Sequence, residues 1–593
     1  MQPPIVSEPP ETRAPTKPPT QATLPPVGPR ALTVAIFVLG LGGLLFANSW
    51  KRDFWEPDES LFAQVSRTME ASGNWIVPQC SGVFLDLPPL AYWLPAGLHK
   101  LTGLDPRVAY RIPITLAAVA SLCLTYVAGK RLFDGRIGFL ALWIQASTIY
   151  FFCRSAWLDD DLIFSACVQL AITAFTFATR SKDRFWLAIP GWLGLAGACL
   201  SKSGLLAAGL VFGSLLVFLF IEGGFTAVRQ GFKRIRFLPG LGLFTVITAP
   251  WFVAVAFEEG LQFWTQYLLN GHFFRIMSSP VDARPPYFYL VTLLWAFFPW
   301  TLFLPAGLLH GKDRLKRHGE RFAFVWALFM LLALTSISAK KPGYLLVIWP
   351  PLSLLVAAAF FETRETFSVW EDLLRQGVSR ALPALLKTPL ILVLVMAGAY
   401  FGGHLEKVPD ERVQTLLADR NSMNWALGLA VLASGVLFVV SGRVRKLVLA
   451  KEVTRSAYEL ACAAAFLLFA GTFFFAAANP FLSGRTAVEK LASQLPPGAA
   501  LAMYGRKRSA VSYYAGEDHA LLHLDYAGTR TPDDPGLMRL QEHLKQPGAA
   551  FTITSRAELE ILRAQFPSLG AHLIEKAGAK LGWHEELVLL GNH

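Results

Sequence analysis

Two carboxylates stand side by side in "WEPDESLFAQ", Asp58 and Glu59, just after the first long apolar stretch of the chain. A third, Asp86, lies in "GVFLDLPPLAYW", and Asp159, Asp160 and Asp161 run together in "RSAWLDDDLIF". Cations follow: Lys202 in "LSKSG", His272 and Arg275 in "NGHFFRIM", Arg284 in "DARPPYFY", and Lys340 and Lys341 with Tyr344 in "SAKKPGYLL". A carboxylate can orient or deprotonate a hydroxyl. Lys and Arg are the usual partners of phosphate oxygens. Singly, each has an ordinary explanation: an acidic pair suits the positive end of a helix, three adjacent aspartates suit a solvated helix start, and a basic residue at the end of an apolar span is an anchor. A shared site requires that they meet on one side of whatever the chain folds into.

Composition says what that is. Of 593 residues, 53% are hydrophobic and only 16% charged, well below the roughly 25% charged of a soluble domain. Apolar stretches near the roughly 20 residues needed to cross a bilayer recur, starting with "ALTVAIFVLGLGGLLFANSW". Reading for such windows gives about thirteen helices. After the first they centre near Leu116, Leu142, Ile172, Leu193, Val211, Thr245, Leu294, Met330, Leu354, Leu394, Val431 and Leu467. The window at Leu193 is the shortest. The net charge of +12 does not point to nucleic acid, because the basic residues cluster between spans in "GKRLFDGR", "RQGFKRIRF" and "HGKDRLKRHGER", as the positive-inside rule requires. The six cysteines are scattered and show neither metal-ligand spacing nor a disulfide framework.

With the N-terminus in the cytoplasm, alternation places the basic segments inside and the three acidic segments outside. Asp58, Asp86 and Asp159 then share the extracytoplasmic side with Lys202, His272, Arg275, Lys341 and Tyr344. Residues 1–30, rich in proline, form a disordered cytoplasmic tail by composition. Residues 31–478 form the membrane part, with a long first outer loop over 51–105. In that loop "ESLFAQVSRTMEAS" has Leu61, Val65 and Met69 at helical spacing, an amphipathic helix with Asp58 and Glu59 at its start. Residues 479–593 turn polar and alternate strand-like runs such as "AALAMYG" and "ELVLLG" with helical ones such as "RAELEILRAQF", a small α/β domain outside the membrane. The basic run "GRKRSAVSYY" within it reads as a solvated turn.

The loop "WEPDESLFAQVSRTMEASGNWIVPQCSGVFLDLPPLAYW" resembles the first outer loop of the GT-C class of bacterial lipid-phosphate-dependent glycosyltransferases. The nearest pattern is that of the lipid A aminoarabinose transferases, relatives of the protein O-mannosyltransferases. "WLDDD", "LSKSG", "HFFR", "RPPYFYL", "FFPW" and "SISAKKPGYLLVIWPPLSLL" follow in that family's order. The resemblance covers about residues 31–361. It implies a polytopic α-helical enzyme of the bacterial inner membrane that moves a sugar from a polyprenyl phosphate to an envelope acceptor. It assigns Asp58 as the catalytic acid motif, Asp159 as the second carboxylate and Asp86 as the counterpart of a loop glutamate. Glu59 also matches the acid motif, and Lys202, His272, Tyr344 and Lys341 match other positions of the cavity. Two departures stand out: Leu87 replaces a lysine before the proline pair, and Leu61 replaces a frequent arginine.

The expected chemistry follows from the donor. A sugar on a lipid phosphate already has a good leaving group, so the protein must supply a base for the acceptor hydroxyl and positive charge for the departing phosphate. Asp58 is the expected base, with inversion at the sugar; Asp86 and Asp159 orient it or the acceptor, and Lys202, Arg275 and Lys341 hold the phosphate. Glu59 is expected to bind substrate in support of Asp58 rather than react. No cofactor is required, although the carboxylates could take a divalent cation. The expected partners are a polyprenyl-phosphate-linked sugar, membrane lipids, and a lipid, glycan or protein acceptor. A lipid-linked sugar transporter or flippase, which would carry charges within its spans, and a non-catalytic membrane scaffold are the alternatives.

Overall fold

The apolar windows fold as helices, the structure that satisfies every backbone polar group within one segment. The computed structural model describes residues 31–361 and 420–591 apart from short internal segments, among them 85–86, 268–282 and 309–315. Asp86, His272, Arg275, the window at Leu394 and the N-terminal tail lie outside the described residues. Seven described helices are long and apolar enough to cross a membrane, the first spanning Ala31–Lys51 and the last Pro342–Phe361, or eight if one bent pair counts as a single span. The windows at Val431 and Leu467 fall in the helices Arg420–Leu449 and Val453–Thr472.

Three windows are not straight spans, and the reasons are local. Ile189–Ser201 has 13 residues, about 20 Å at 1.5 Å per residue, short of a bilayer core. The pair Phe288–Ala296 and Trp300–Leu308 is bent by 113°, because Pro299 has no N–H to continue the ladder. The Leu142 window is the helix Gly135–Ala146, which stops at Ser147 and resumes as Ile149–Arg154. The two breaks satisfy each other: Ile149 donates its amide to the Phe298 carbonyl at 3.1 Å, and Trp300 Nε1 donates to Ser147 Oγ at 2.9 Å. Trp349 Nε1 donates to Thr148 Oγ1 at 2.9 Å. Broken backbone inside a membrane protein needs such partners, and this break turns the short helix carrying Tyr150 and Arg154 towards the acidic segment.

A ring of neutral side chains locks the helices behind that segment. Gln145 Nε2 donates to Ser121 Oγ at 2.8 Å, and Ser121 Oγ to Gln169 Oε1 at 2.6 Å. Gln169 Nε2 donates to Thr125 Oγ1 at 2.8 Å, and Thr125 Oγ1 to Gln145 Oε1 at 2.5 Å. The ring joins Ile112–Leu132, Gly135–Ala146 and Asp161–Arg180, so the ends of these helices nearest the acidic segment keep a fixed spacing. Gly129 and Gly138 let two of the helices touch, since a Cβ on Gly129 would fall 2.4 Å from the Gly138 Cα.

The C-terminal residues form a five-stranded mixed sheet. With β1 (Gln79–Cys80) and β2 (Val83–Phe84) as a small hairpin in the first loop, the sheet strands are β3 (Ala500–Tyr504), β4 (Leu521–Leu524), β5 (Ala550–Ser555), β6 (Ile574–Leu581) and β7 (Glu585–Gly591), in the order β4-β3-β5-β7-β6. Alternation along β3 sends Leu501 and Met503 to one face, where Val488, Leu491 and Val511 cover them. Ala502 and Tyr504 go to the other face, against Leu537, Leu540, Leu559 and Leu562. Helices thus cover both faces. The reading of "GRKRSAVSYY" as a solvated turn is corrected: Ser509–Tyr514 is a helix with Ser509 to Ser512 buried. Tyr513 and Tyr514 pack against the core of the membrane part.

Candidate active site

An acidic pair at a helix start is ordinarily a cap, but neither acid caps here. The helix Asp58–Ser72 is preceded by Pro57 and has no side-chain cap bond. Glu59 is wholly buried and its oxygens are filled by the protein. It receives Arg52 Nη2 at 2.8 Å, Arg111 Nη2 at 3.3 Å, and the amides of Trp55 at 3.1 Å and Leu158 at 3.0 Å. Arg111, equally buried, also donates to the carbonyls of Ser49, Arg52 and Asp53. Glu59 therefore ties the first loop to the helix Ile112–Leu132 and to the Asp159 segment, and the expectation that it contacts substrate is corrected: its carboxylate is buried and taken up by protein donors.

Asp58 is the opposite case. One residue away, about 100° around the helix, it is half-buried. It makes no hydrogen bond or ion pair among the described residues, and its field acts on Tyr150 and Arg154. Arg154 in turn pairs with Asp159, and with Asp161 at 3.3 Å. Lys202 pairs with Asp161, and with Asp160 at 3.1 Å, while its ammonium sits 4.8 Å from the centre of the Tyr344 ring. Burial would pull the Lys202 ammonium down, but Asp160 and Asp161 hold it well above the ordinary lysine range. Burial pushes the Asp160 carboxyl above its ordinary range in spite of Lys202.

Gly343 makes this packing possible, because a Cβ there would fall 1.7 Å from Asp161 Oδ2. Lys341 is exposed and its field reaches Asp161. Lys340, its neighbour, is buried and donates to the Arg284 carbonyl at 3.2 Å, so it pins the chain at 284 to the chain at 337–340 rather than facing a ligand. The bridge between Ala283 and Ala339 reinforces that contact.

Among the expected residues the structure thus groups Asp58, Asp159, Lys202, Lys341 and Tyr344, and turns Glu59 inward. Asp86, His272 and Arg275 are outside the described residues. Sequence reasoning missed Arg154 and Tyr150, which connect Asp58 to the aspartate run, and Tyr289, wholly buried within reach of Tyr344, Asp161 and Lys202. Arg154 stood in the quoted "RSAWLDDD". The signal was a cation beside three carboxylates in a chain with few charges. Among the described residues no three His, Cys, Asp or Glu side chains are arranged to hold a metal; Arg154 and Lys202 engage the three aspartates. A half-buried acceptor beside a network of fixed cations suits a hydroxyl on one side and a phosphate on the other.

A family described as dolichyl-phosphate-mannose-protein mannosyltransferase matches residues 86–253. The undecaprenyl phosphate-alpha-4-amino-4-deoxy-L-arabinose arabinosyl transferase of Erwinia tasmaniensis is 27% identical over 395 residues, 65% of this chain and 69% of that one. Arabinosyl transferase 1 of the same description from Pseudomonas fluorescens strain Pf-5 is 28% identical over 336 residues, 55% of this chain and 59% of its own length. The match thus spans 59% to 69% of these two relatives. The crystal structure of ArnT from Cupriavidus metallidurans bound to undecaprenyl phosphate superposes with a TM-score of 0.72 at 17% identity, covering 95% of this chain and 99% of that one. The chain has the GT-C fold and is similar to the lipid-phosphate-dependent glycosyltransferases of the aminoarabinose transferase and protein mannosyltransferase group.

Proposed function

We propose that the chain is an inner-membrane glycosyltransferase that moves a sugar, hexose or pentose, from a polyprenyl phosphate such as undecaprenyl phosphate to an envelope acceptor: lipid A, another glycan or a protein. The observation that carries this reading is the Asp58 carboxylate, half-buried and without a hydrogen bond among the described residues, in the field of Arg154. Asp58 takes the proton of the acceptor hydroxyl as that oxygen attacks the anomeric carbon. The bond from that carbon to the phosphate oxygen breaks on the opposite face, so configuration inverts and the electron pair leaves on the lipid phosphate. Lys202, Lys341 and Arg275 neutralise the phosphate, and Tyr344 walls the cavity beside Lys202. Asp159 acts through Arg154, which it holds beside Asp58. Asp86 and His272 keep the cavity roles that the family resemblance implies.

In this reading the N-terminus is cytoplasmic, about thirteen helices cross the membrane, and the C-terminal sheet stands in the periplasm with the site. The transporter alternative is disfavoured because the described polar ring inside the bundle is neutral and bonded within itself. The reaction needs no metal, since side-chain cations already face the carboxylates; a divalent ion at Asp86 with the aspartate run is the variant the same experiment tests. Purified protein in liposomes with a polyprenyl-phosphate sugar and extracted envelope lipids is expected to yield a glycosylated acceptor by mass spectrometry, unchanged by a chelator. Absence of any transferred sugar across lipid, glycan and protein acceptors would overturn the proposal, and loss on chelation would overturn its metal-free form.

Gly343→Ala is expected to lower kcat/KM by about 10–100-fold, the usual cost of displacing a site group by about 1 Å. Its Cβ forces the Asp161 carboxylate off its place beside Lys202. Steady-state kinetics with normal membrane insertion check this.

A further inference from the structure

The segment between the first span and the acid helix, residues 52–57, has no regular secondary structure of its own. Buried backbone groups there must find partners elsewhere. Arg111 meets the carbonyls of Arg52 and Asp53. Four more backbone groups are met from the far end of the chain. Asn479 Oδ1 accepts from the Asp53 amide at 3.1 Å and from Trp55 Nε1 at 2.9 Å, and its Nδ2 donates to the Lys51 carbonyl at 3.1 Å. The Tyr514 hydroxyl accepts from the Phe54 amide at 2.8 Å and donates to its carbonyl at 3.3 Å. The Leu482 carbonyl accepts from the Glu56 amide at 3.0 Å, and Glu56 accepts from the Ala510 amide. Arg67, on the acid helix itself, donates to the Ser512 carbonyl at 2.9 Å and lies 4.4 Å from the centre of the Tyr513 ring.

These contacts lead to Asp58 by a short path. The Trp55 indole that Asn479 holds is covered by the Arg52 guanidinium at 4.6 Å, and Arg52 is the closest partner of Glu59. Glu59 sets the first turn in which Asp58 sits. We infer that Asn479, together with the helix Ser509–Tyr514, is a latch by which the C-terminal α/β unit sets the position of Asp58, so that this unit is part of the transfer machinery and not only an appendage. Asn479 is a positioning residue: it bonds three groups of one short segment at once, and none of the phosphate-facing groups Lys202, Lys341 or Tyr344. Its loss therefore falls on the chemical step and spares the donor.

The inference rests on the proposed transfer reaction, and the test separates the two. In the full-length protein in liposomes, Asn479→Ala is expected to lower kcat about 10–100-fold with the KM for the lipid-phosphate donor unchanged. Amides 53–60 should exchange with deuterium faster while the membrane helices keep their protection. Asn479→Asp, which keeps the acceptor oxygen for Asp53 and Trp55 but loses the donor to the Lys51 carbonyl, should recover part of the rate. Should Asn479→Ala not fold, Tyr514→Phe, which loses only the Phe54 bonds, is read by the same two measurements. Unchanged kcat and unchanged exchange at 53–60 in a folded variant overturn the latch, as does a loss of rate that merely follows a lower unfolding temperature. A wild type that transfers no sugar sinks the proposed function alone, because the exchange measurement needs no substrate.

Discussion

Asp58→Asn is expected to lower sugar transfer about 1,000-fold, within the usual range for loss of a general base and equal to about 4 kcal/mol of barrier. The fold should barely notice. Asp58 makes no hydrogen bond among the described residues, and the helix has no side-chain cap there to lose. The remaining cost is the interaction of a carboxylate with the helix dipole, about 0.3–1 kcal/mol, and asparagine is well tolerated at a helix start. Donor binding should also persist, since Lys202 and Lys341 are held by other elements. The measurement is transfer by purified variant in liposomes, with the unfolding temperature and donor affinity recorded beside it. Full transfer by the variant rules out Asp58 as the base. A loss of rate that appears only with hydroxyl acceptors, and not with an acceptor that attacks through a phosphate, is the signature of a base, whereas an equal loss with both would mean that Asp58 positions the acceptor without abstracting a proton.

The acids and bases of the site were legible because charges are scarce in this chain and each sits at the end of an apolar window. Side-of-membrane bookkeeping then brought Asp58, Asp159, Lys202, Lys341 and Tyr344 to one face. What it could not supply was the wiring among them. Arg154 looks like one more interfacial anchor until the break at Ser147 and Thr148 turns its short helix, and that break is bonded to the residues on either side of Pro299, Phe298 and Trp300, about 150 residues away in sequence. Lys340 and Lys341 are indistinguishable as neighbours in "SAKKPGY". Only the Lys340 bond to the Arg284 carbonyl and the exposure of Lys341 tell the two apart. Asn479 carried no signal at all, because a lone asparagine after an apolar run is an ordinary helix end, and its partners lie more than 420 residues earlier. Apolar windows likewise find helices but not their bends, since hydropathy is blind to which backbone groups a neighbour will satisfy.

Glu59→Gln should show the reverse signature of its neighbour, and the contrast tests the division of labour in the pair. The substitution keeps the size of the side chain and one carbonyl oxygen but removes the charge that Arg52 and Arg111 share. Both guanidinium groups are buried, and neither can reach water without moving the loop. Removing one member of a buried charge cluster costs about 3–5 kcal/mol, because the groups left behind have been desolvated without compensation. The new amide nitrogen would also meet another donor, either the Trp55 amide or a guanidinium, in place of an acceptor. The expected result is a protein that inserts into the membrane but unfolds at a clearly lower temperature in detergent, with transfer lost in proportion to the folded fraction. Raising the amount of folded protein, by cooling or by added donor, should recover activity in Glu59→Gln and not in Asp58→Asn. If Glu59→Gln kept the wild-type unfolding temperature and lost transfer outright, Glu59 would have to act on substrate, and the buried contacts to Arg52 and Arg111 would not be what holds the loop.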